Sequence, residues 1–146
     1  MLQKTILLIE GNENDVILFR AVMKRINSPH GLQCLNDGED AMHYLGGEGK
    51  YHNRSEFPLP ALIFMAPRLP RLDGFDVLHW IGQQSALRHI PAILYSSTDS
   101  REDVQRALEL GARSHVRKTS DLCQLQESLR AAIGEWIGPL PASPAV

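Results

Sequence analysis

The sequence predicts an α/β domain, an open sheet of five parallel strands with helices wound over both of its faces. Three observations predict it. Several short runs are apolar almost throughout instead of alternating, the pattern of parallel strands covered on both sides. Stretches with apolar residues three and four apart lie between them, the stripe of an amphipathic helix. Gly, Pro, Asp, Asn and Ser punctuate the joins, as turns and helix caps require. Strands and helices alternating in this way give right-handed crossovers and a sheet sandwiched between helices.

The first strand is Thr5-Ile6-Leu7-Leu8-Ile9, which ends in Glu10-Gly11-Asn12. A helix is expected from Asp15, an acidic residue suited to a helix start, with Val16, Phe19, Met23 and Ile26 on one stripe and Asn27-Ser28-Pro29 as its stop. Leu32 to Leu35 reads as the second strand, Asn36-Asp37-Gly38 as a turn, and Glu39 to Leu45 as a short helix with Ala41 and Leu45 inward. Glycines, two prolines and the lack of any period predict a long surface loop from Gly46 to Pro60.

Ala61 to Met65 is the third strand, followed by a loop from Pro67 to Asp73 and a helix from Gly74 in which Phe75, Leu78 and Ile81 share a face. Ala92 to Tyr95 is the fourth strand. Ser97-Thr98-Asp99-Ser100 offers caps for a helix running to Leu110, and Gly111 suits its end. Ser114 to Arg117 reads as a weak fifth strand, and Leu122, Leu125, Leu129, Ile133 and Trp136 form the stripe of a last helix. The expected organisation is one domain over residues 1–137 and a flexible, proline-rich tail over 138–146.

Fifteen Lys and Arg against seventeen Asp and Glu leave a formal charge of −2 without long runs of one sign, so no basic footprint points to nucleic acid. The apolar run at the N-terminus stops at Glu10, too short for a leader core or a membrane span, and a cytoplasmic location is expected. Cys34 and Cys123 each sit in an apolar pattern and are expected as buried, reduced thiols. Gly46-Gly47-Glu48-Gly49-Lys50 lacks the residues a phosphate-binding loop needs at Tyr44 and Tyr51, and the six histidines show no metal-ligand spacing.

In an open parallel sheet a site lies at the carboxyl ends of the strands, near the topological switch point. Here those ends are Glu10-Gly11, Ala66-Pro67-Arg68, Ser96 and Lys118, so four loops are expected to converge on one pocket.

The same segments resemble the receiver domains of response regulators. The run LLIEGN at 7–12 is similar to the family's acidic motif after strand one, and LIFMAPRLPRLDGFDVL at 62–78 to its phospho-acceptor strand and loop. PAILYSST at 91–98 resembles the strand ending in the switch hydroxyl, and GARSHVRK at 111–118 the strand ending in the family's lysine. The likeness spans about residues 5–137. It implies a flavodoxin-like sheet in the order 2-1-3-4-5 and a place in two-component phosphorelay signalling. The long loop before strand three and the stretch RLPRLDG at 68–74 are similar to the single-domain regulators that serve bacterial phytochrome kinases. The partner so implied is a sensor histidine kinase or a bacterial phytochrome.

A working receiver needs two acids after strand one and an aspartate after strand three, which together hold Mg²⁺ through oxygen ligands and accept a phosphoryl group. By the resemblance, Glu10 keeps the first acid, Gly11 replaces the second, and Ala66 stands at the acceptor position. A methyl group accepts no phosphoryl group. Arg68 falls where the family's backbone carbonyl binds the metal, and its guanidinium brings positive charge toward that place. Charge balance therefore predicts no Mg²⁺ cofactor and a Lys118–Glu10 pair holding the pocket in one state.

Ser96 keeps the switch hydroxyl, His115 stands at the aromatic switch position, and Thr119 replaces the proline that commonly follows the lysine. The expected protein is no enzyme but an atypical pseudo-receiver acting by phosphorylation-independent protein–protein interaction. Arg106, Leu108, Glu109 and Trp136 are its candidate interface, and Trp136 at the end of the last helix makes a homodimer one expected form. Two other readings share these residues: a pocket for a small ligand or anion near Lys118 and Arg68, and a phosphotransfer domain using another acceptor, for which Asp73 is the candidate.

Overall fold

The computed structural model describes residues 3–97, 100–138 and 140. Five strands, β1 (Thr5–Ile9), β2 (Gly31–Leu35), β3 (Leu62–Met65), β4 (Ala92–Ser96) and β5 (Ser114–Arg117), alternate with five helices. These are α1 (Glu13–Arg25), α2 (Gly38–Gly46), α3 (Gly74–Gly82), α4 (Arg101–Glu109) and α5 (Leu122–Ile137). All strand pairs are parallel and the sheet order is β2-β1-β3-β4-β5. The switch point therefore lies between β1 and β3, which pair with Leu7 opposite Ile63 and Ile9 opposite Met65.

The apolar runs are strands because both of their faces are covered. Leu7, Ile9, Ile63, Met65 and Leu94 meet α2, α3 and α4, while Ile6, Leu8, Phe64, Ile93 and Tyr95 meet α1 and α5. Side chains alternate between two cores, so the central strands are apolar between Thr5 at the start of β1 and Ser96 at the carboxyl end of β4. Phe19 packs edge-on against Phe64 and Tyr95, with ring centroids 5.2 and 5.5 Å apart, and fixes α1 against the sheet.

Several expectations need correction. α1 starts at Glu13, not Asp15, because Asn12 is the cap: its Oδ1 accepts the Asp15 N–H at 3.1 Å. Residues 46–60 are not a featureless surface loop. Gly49–His52 makes a 3-10 turn that buries Tyr51, whose ring stacks with Tyr44 (5.1 Å) and Phe57 (5.0 Å). The Arg54 guanidinium donates to the carbonyls of Tyr44, Leu45 and Phe57 at 2.8, 2.9 and 3.1 Å. It thereby satisfies the Leu45 carbonyl at the end of α2 and ties that end to the loop at Phe57.

Leu122, expected on the buried stripe of α5, is 36% exposed, and Cys123 beside it is exposed too; Cys34 is half-buried. The α5 stripe is carried by Leu125, Leu129 and Ile133, with Trp136 half-buried at its end. Ser100 caps α4 through the Asp103 N–H, whereas Thr98 and Asp99 lie outside the described residues. So does the tail except Gly138 and Leu140, the latter packing on the core under α1 and α5. Among the described residues no helix is long and apolar enough to cross a membrane.

Candidate functional site

The loops after β1, β3, β4 and β5 converge as expected, on an open cleft of about 680 Å³ at the carboxyl ends of the strands. Glu10, Gly11, Ala66, Arg68, Ser96 and Lys118 all line it. Further polar residues not expected there from the sequence line it as well, among them Asn12, Asp15, Ser97 and Asp103.

Glu10 is 2% exposed and is held by the sheet, its N–H donating to the Leu35 carbonyl at 2.9 Å. Its Oε1 accepts the Asn12 N–H at 3.1 Å. The Lys118 ammonium lies 2.6 Å from Glu10 Oε2, an ion-pair contact without hydrogen-bond alignment, and donates to Asp15 Oδ2 at 2.8 Å. The expected Glu10–Lys118 pair thus exists, but as part of a triad with a second carboxylate. The β5 end is fixed in turn by the Lys118 N–H, which donates to the Ser96 carbonyl at 2.8 Å.

Below the triad the Lys118 ammonium sits 5.3 Å from the centre of the buried Tyr95 ring. Burial, with the nearby carboxylates of Asp15 and Glu10, pushes the Tyr95 phenol well above its ordinary value and keeps it protonated.

Asp15 was read as a helix start, and the sequence did hold the signal that reassigns it. An Asn cap at position 12 places residue 15 at the third helical position, in the turn that faces the strand ends. No local pattern could name its partner, 103 residues away.

Ala66 follows β3 directly, with its N–H on the Ile9 carbonyl at 2.9 Å and its methyl buried. A Cβ at Gly74 would run into the Ala66 carbonyl oxygen, so the first turn of α3 is packed hard on this point. Arg68 does not turn toward Glu10. Its guanidinium is 3.5 Å from Asp103 and largely exposed, and it shares the Phe75 ring with Arg106, at 5.9 and 4.3 Å from the centroid. The expectation that Arg68 brings charge into the pocket is corrected by this contact with α4.

Ser96 is 2% exposed, and its Oγ lies 3.0 Å from His115 Nε2, so the two side chains are hydrogen-bonded to each other. His115 also lines a groove with Arg101, Val104 and Gln105 of α4. The peptide before Thr119 is trans. Of the candidate interface residues, Arg106 stacks on Phe75, Glu109 accepts from the Gln105 amide at 3.1 Å, and Leu108 is 42% exposed. Trp136 is half-buried 5.9 Å from the Arg113 guanidinium, with its indole N–H buried and without an acceptor among the described residues. The four residues do not form one patch: Arg106 points to the α3 side of α4, while Trp136 lies on the core beneath α1 and α5.

The sheet order, with four strand ends converging on one cleft, defines a switch-point site of the response-regulator type. The chain belongs to that family: residues 6–130 match the response regulator receiver domain. It is 32% identical over 134 residues to the response regulator Rcp1 of Synechocystis, covering 92% of this chain and 89% of that one. The phosphorylated cyanobacterial phytochrome response regulator RcpA superposes with a TM-score of 0.85 at 29% identity, covering 97% of this chain and 100% of that one. The Mn²⁺-bound form of Rcp1 superposes with a TM-score of 0.81 at 33% identity, covering 95% and 99%. This is therefore a receiver domain of two-component signalling, related to phytochrome response regulators.

Proposed function

We propose that this chain is an atypical receiver in which Ala66 stands at the phospho-acceptor position, and that it signals by binding a protein partner without being phosphorylated. The observation that carries this reading is the Lys118 triad. The ammonium that would meet an incoming phosphoryl group is already bound by Glu10 and Asp15, so the cleft supplies its own anions.

The donor set does not suit Mg²⁺ either, and we propose that the cofactor is absent from this chain's cycle. Hard divalent cations need several free oxygens in octahedral array. Both Glu10 oxygens are engaged, by Asn12 and Lys118, Asp15 is on Lys118, and the side chain after β3 is a methyl. Asp73 is a poor alternative acceptor, because its carboxylate caps α3 through the Asp76 N–H at 3.0 Å.

The partner we propose is a sensor histidine kinase or a bacterial phytochrome, by likeness to the phytochrome regulators. The described residues hold no obvious catalytic constellation, and we assign the chain no enzymatic step, no nucleic-acid target and a cytoplasmic location. Residues 1–137 act as a single receiver with 138–146 as a tail. Leu108, exposed on α4 between Arg106 and Glu109, is the contact candidate the geometry supports best; Trp136 bears on a homodimer instead.

Intact mass after incubation with Mg²⁺ and a small phosphodonor tests the reading, beside binding of a sensor kinase from the same organism with and without the donor. Unchanged mass and donor-independent binding are expected. Stoichiometric addition of one phosphoryl group overturns it.

A further inference from the structure

We infer that Asp15 is a built-in ligand of Lys118, an internal carboxylate that keeps exogenous oxyanions off the ammonium and ties the first turn of α1 to the end of β5. The inference rests on the reading that this site takes no phosphoryl group, and it names what occupies the lysine instead.

The two carboxylates on Lys118 are not equivalent. The Glu10 side chain is 3% exposed, stands on the end of a central strand and has its second oxygen fixed by the Asn12 N–H. Asp15 is 30% exposed and reaches the ammonium from a helix turn open to solvent. Glu10 is thus the structural half of the triad and Asp15 the half that a solute could replace.

Charge within the cleft points the same way. Among the lining residues Arg68 is matched by Asp103, and Glu10 and Asp15 together oppose Lys118 alone, so the cleft carries one net negative charge and repels anions. Neutralising Asp15 leaves it balanced and frees one side of the ammonium, next to the side-chain amide of Asn12 and the hydroxyl of Ser97, residues that also line the cleft. An oxyanion of phosphate size then has a lysine to bind.

The placement of Asp15 is also specified by the fold. The Asn12 cap sets the helix phase that brings residue 15 over the strand ends.

The test is a titration with inorganic phosphate at constant ionic strength, following the backbone amide signals of Lys118 and Thr119 by NMR. Wild type is expected to show no saturable shift. Asp15→Asn is expected to bind phosphate at least about tenfold more tightly, the effect of one nearby unit charge. Asp15→Glu restores the wild-type response, and Asp15→Asn with Lys118→Gln loses the binding again. Should Asp15→Asn fail to fold, Asp15→Ser carries the same comparison. Wild type binding as tightly as the variant overturns the inference, as does a neutral variant that binds nothing or a double variant that still binds. Inorganic phosphate transfers no phosphoryl group, so this titration fails separately from the phosphodonor experiment.

Discussion

A side chain at Gly11 would begin 3.1 Å from Pro70 Cδ, so the loop after β3 rests directly on the backbone of the loop after β1. In the family resemblance Gly11 replaces an acid, and a side chain added there would press on the Pro70 ring. Ala66 is buried in the same cleft, so a side chain longer than its methyl meets packed neighbours there too.

Ala66→Asp is expected to gain no stoichiometric phosphoryl group from a small phosphodonor, measured by intact mass. The new carboxylate stands at a buried position in the cleft that holds Glu10 and Asp15, with Lys118 already committed, and gathering like charges there is unfavourable. A loss of about 2 kcal/mol in urea unfolding should accompany it, within the usual range for an unpaired buried polar group. Full phosphorylation of this single variant would show that the lysine is easily released.

Lys118→Met should be more damaging than its exposure suggests. It strands Glu10, nearly fully buried, without a counter-charge, and breaking a buried pair costs about 3 kcal/mol or more. Adding Glu10→Gln to it should recover a good part of the loss, because the stranded charge is then gone. Urea midpoints of the single and double variants decide this; a double variant less stable than Lys118→Met would sink the argument.

The strands were legible because both their faces are covered, which leaves apolar runs such as Ile6 to Ile9 with no polar interruption. Glu10, Ala66, Ser96 and Lys118 were legible as site residues for a related reason: each is at, or next after, the end of a strand, and in this fold all such ends meet. Asp15 was not, because an acid near a helix start is ambiguous between cap and ligand until the helix phase is known. The aromatic cluster was hidden for want of a period. Tyr44 lies in α2, Tyr51 in the short turn and Phe57 in the loop after it, so no one element's period links them, and the turn at Gly49–His52 brings them together.

That cluster makes its own prediction. Arg54→Ala removes three charged hydrogen bonds to carbonyls and is expected to cost about 2 kcal/mol and to speed proteolysis within residues 46–60. Limited proteolysis beside urea unfolding checks both. Wild-type cutting rates in Arg54→Ala would mean the rings alone hold the loop.

Tyr51 gives the same region an alkaline signature. Burial, and a hydroxyl donating to both Asp40 oxygens at 2.8 and 2.9 Å, push its phenol up to about 12. A group raised in the folded state contributes stability that is fully present below its unfolded value, near 10, and is lost as pH rises toward 12. Tyr51→Phe should therefore be less stable than wild type at neutral pH and lose less between about pH 9 and 11. Parallel alkaline slopes in the two proteins would exclude Tyr51 as the source.

His30 sets the acid side, at the opposite end of the sheet. It is 7% exposed, and its Nδ1 accepts the Lys4 N–H at 3.0 Å, tying the start of β1 to the start of β2. Burial, and then the Lys4 charge, lower its pKa below the ordinary 6.5. The unfolded chain binds a proton there that the folded chain refuses, and protonation would also abolish the acceptor at Nδ1. The His30 contribution is thus fully present above 6.5 and is lost as pH falls from 6.5 to the lowered folded value. His30→Asn, which keeps an acceptor but does not titrate, should flatten the stability profile between about pH 7.5 and 5. Urea midpoints across that interval measure it, and an unchanged acid slope in the variant would move the cause to another group.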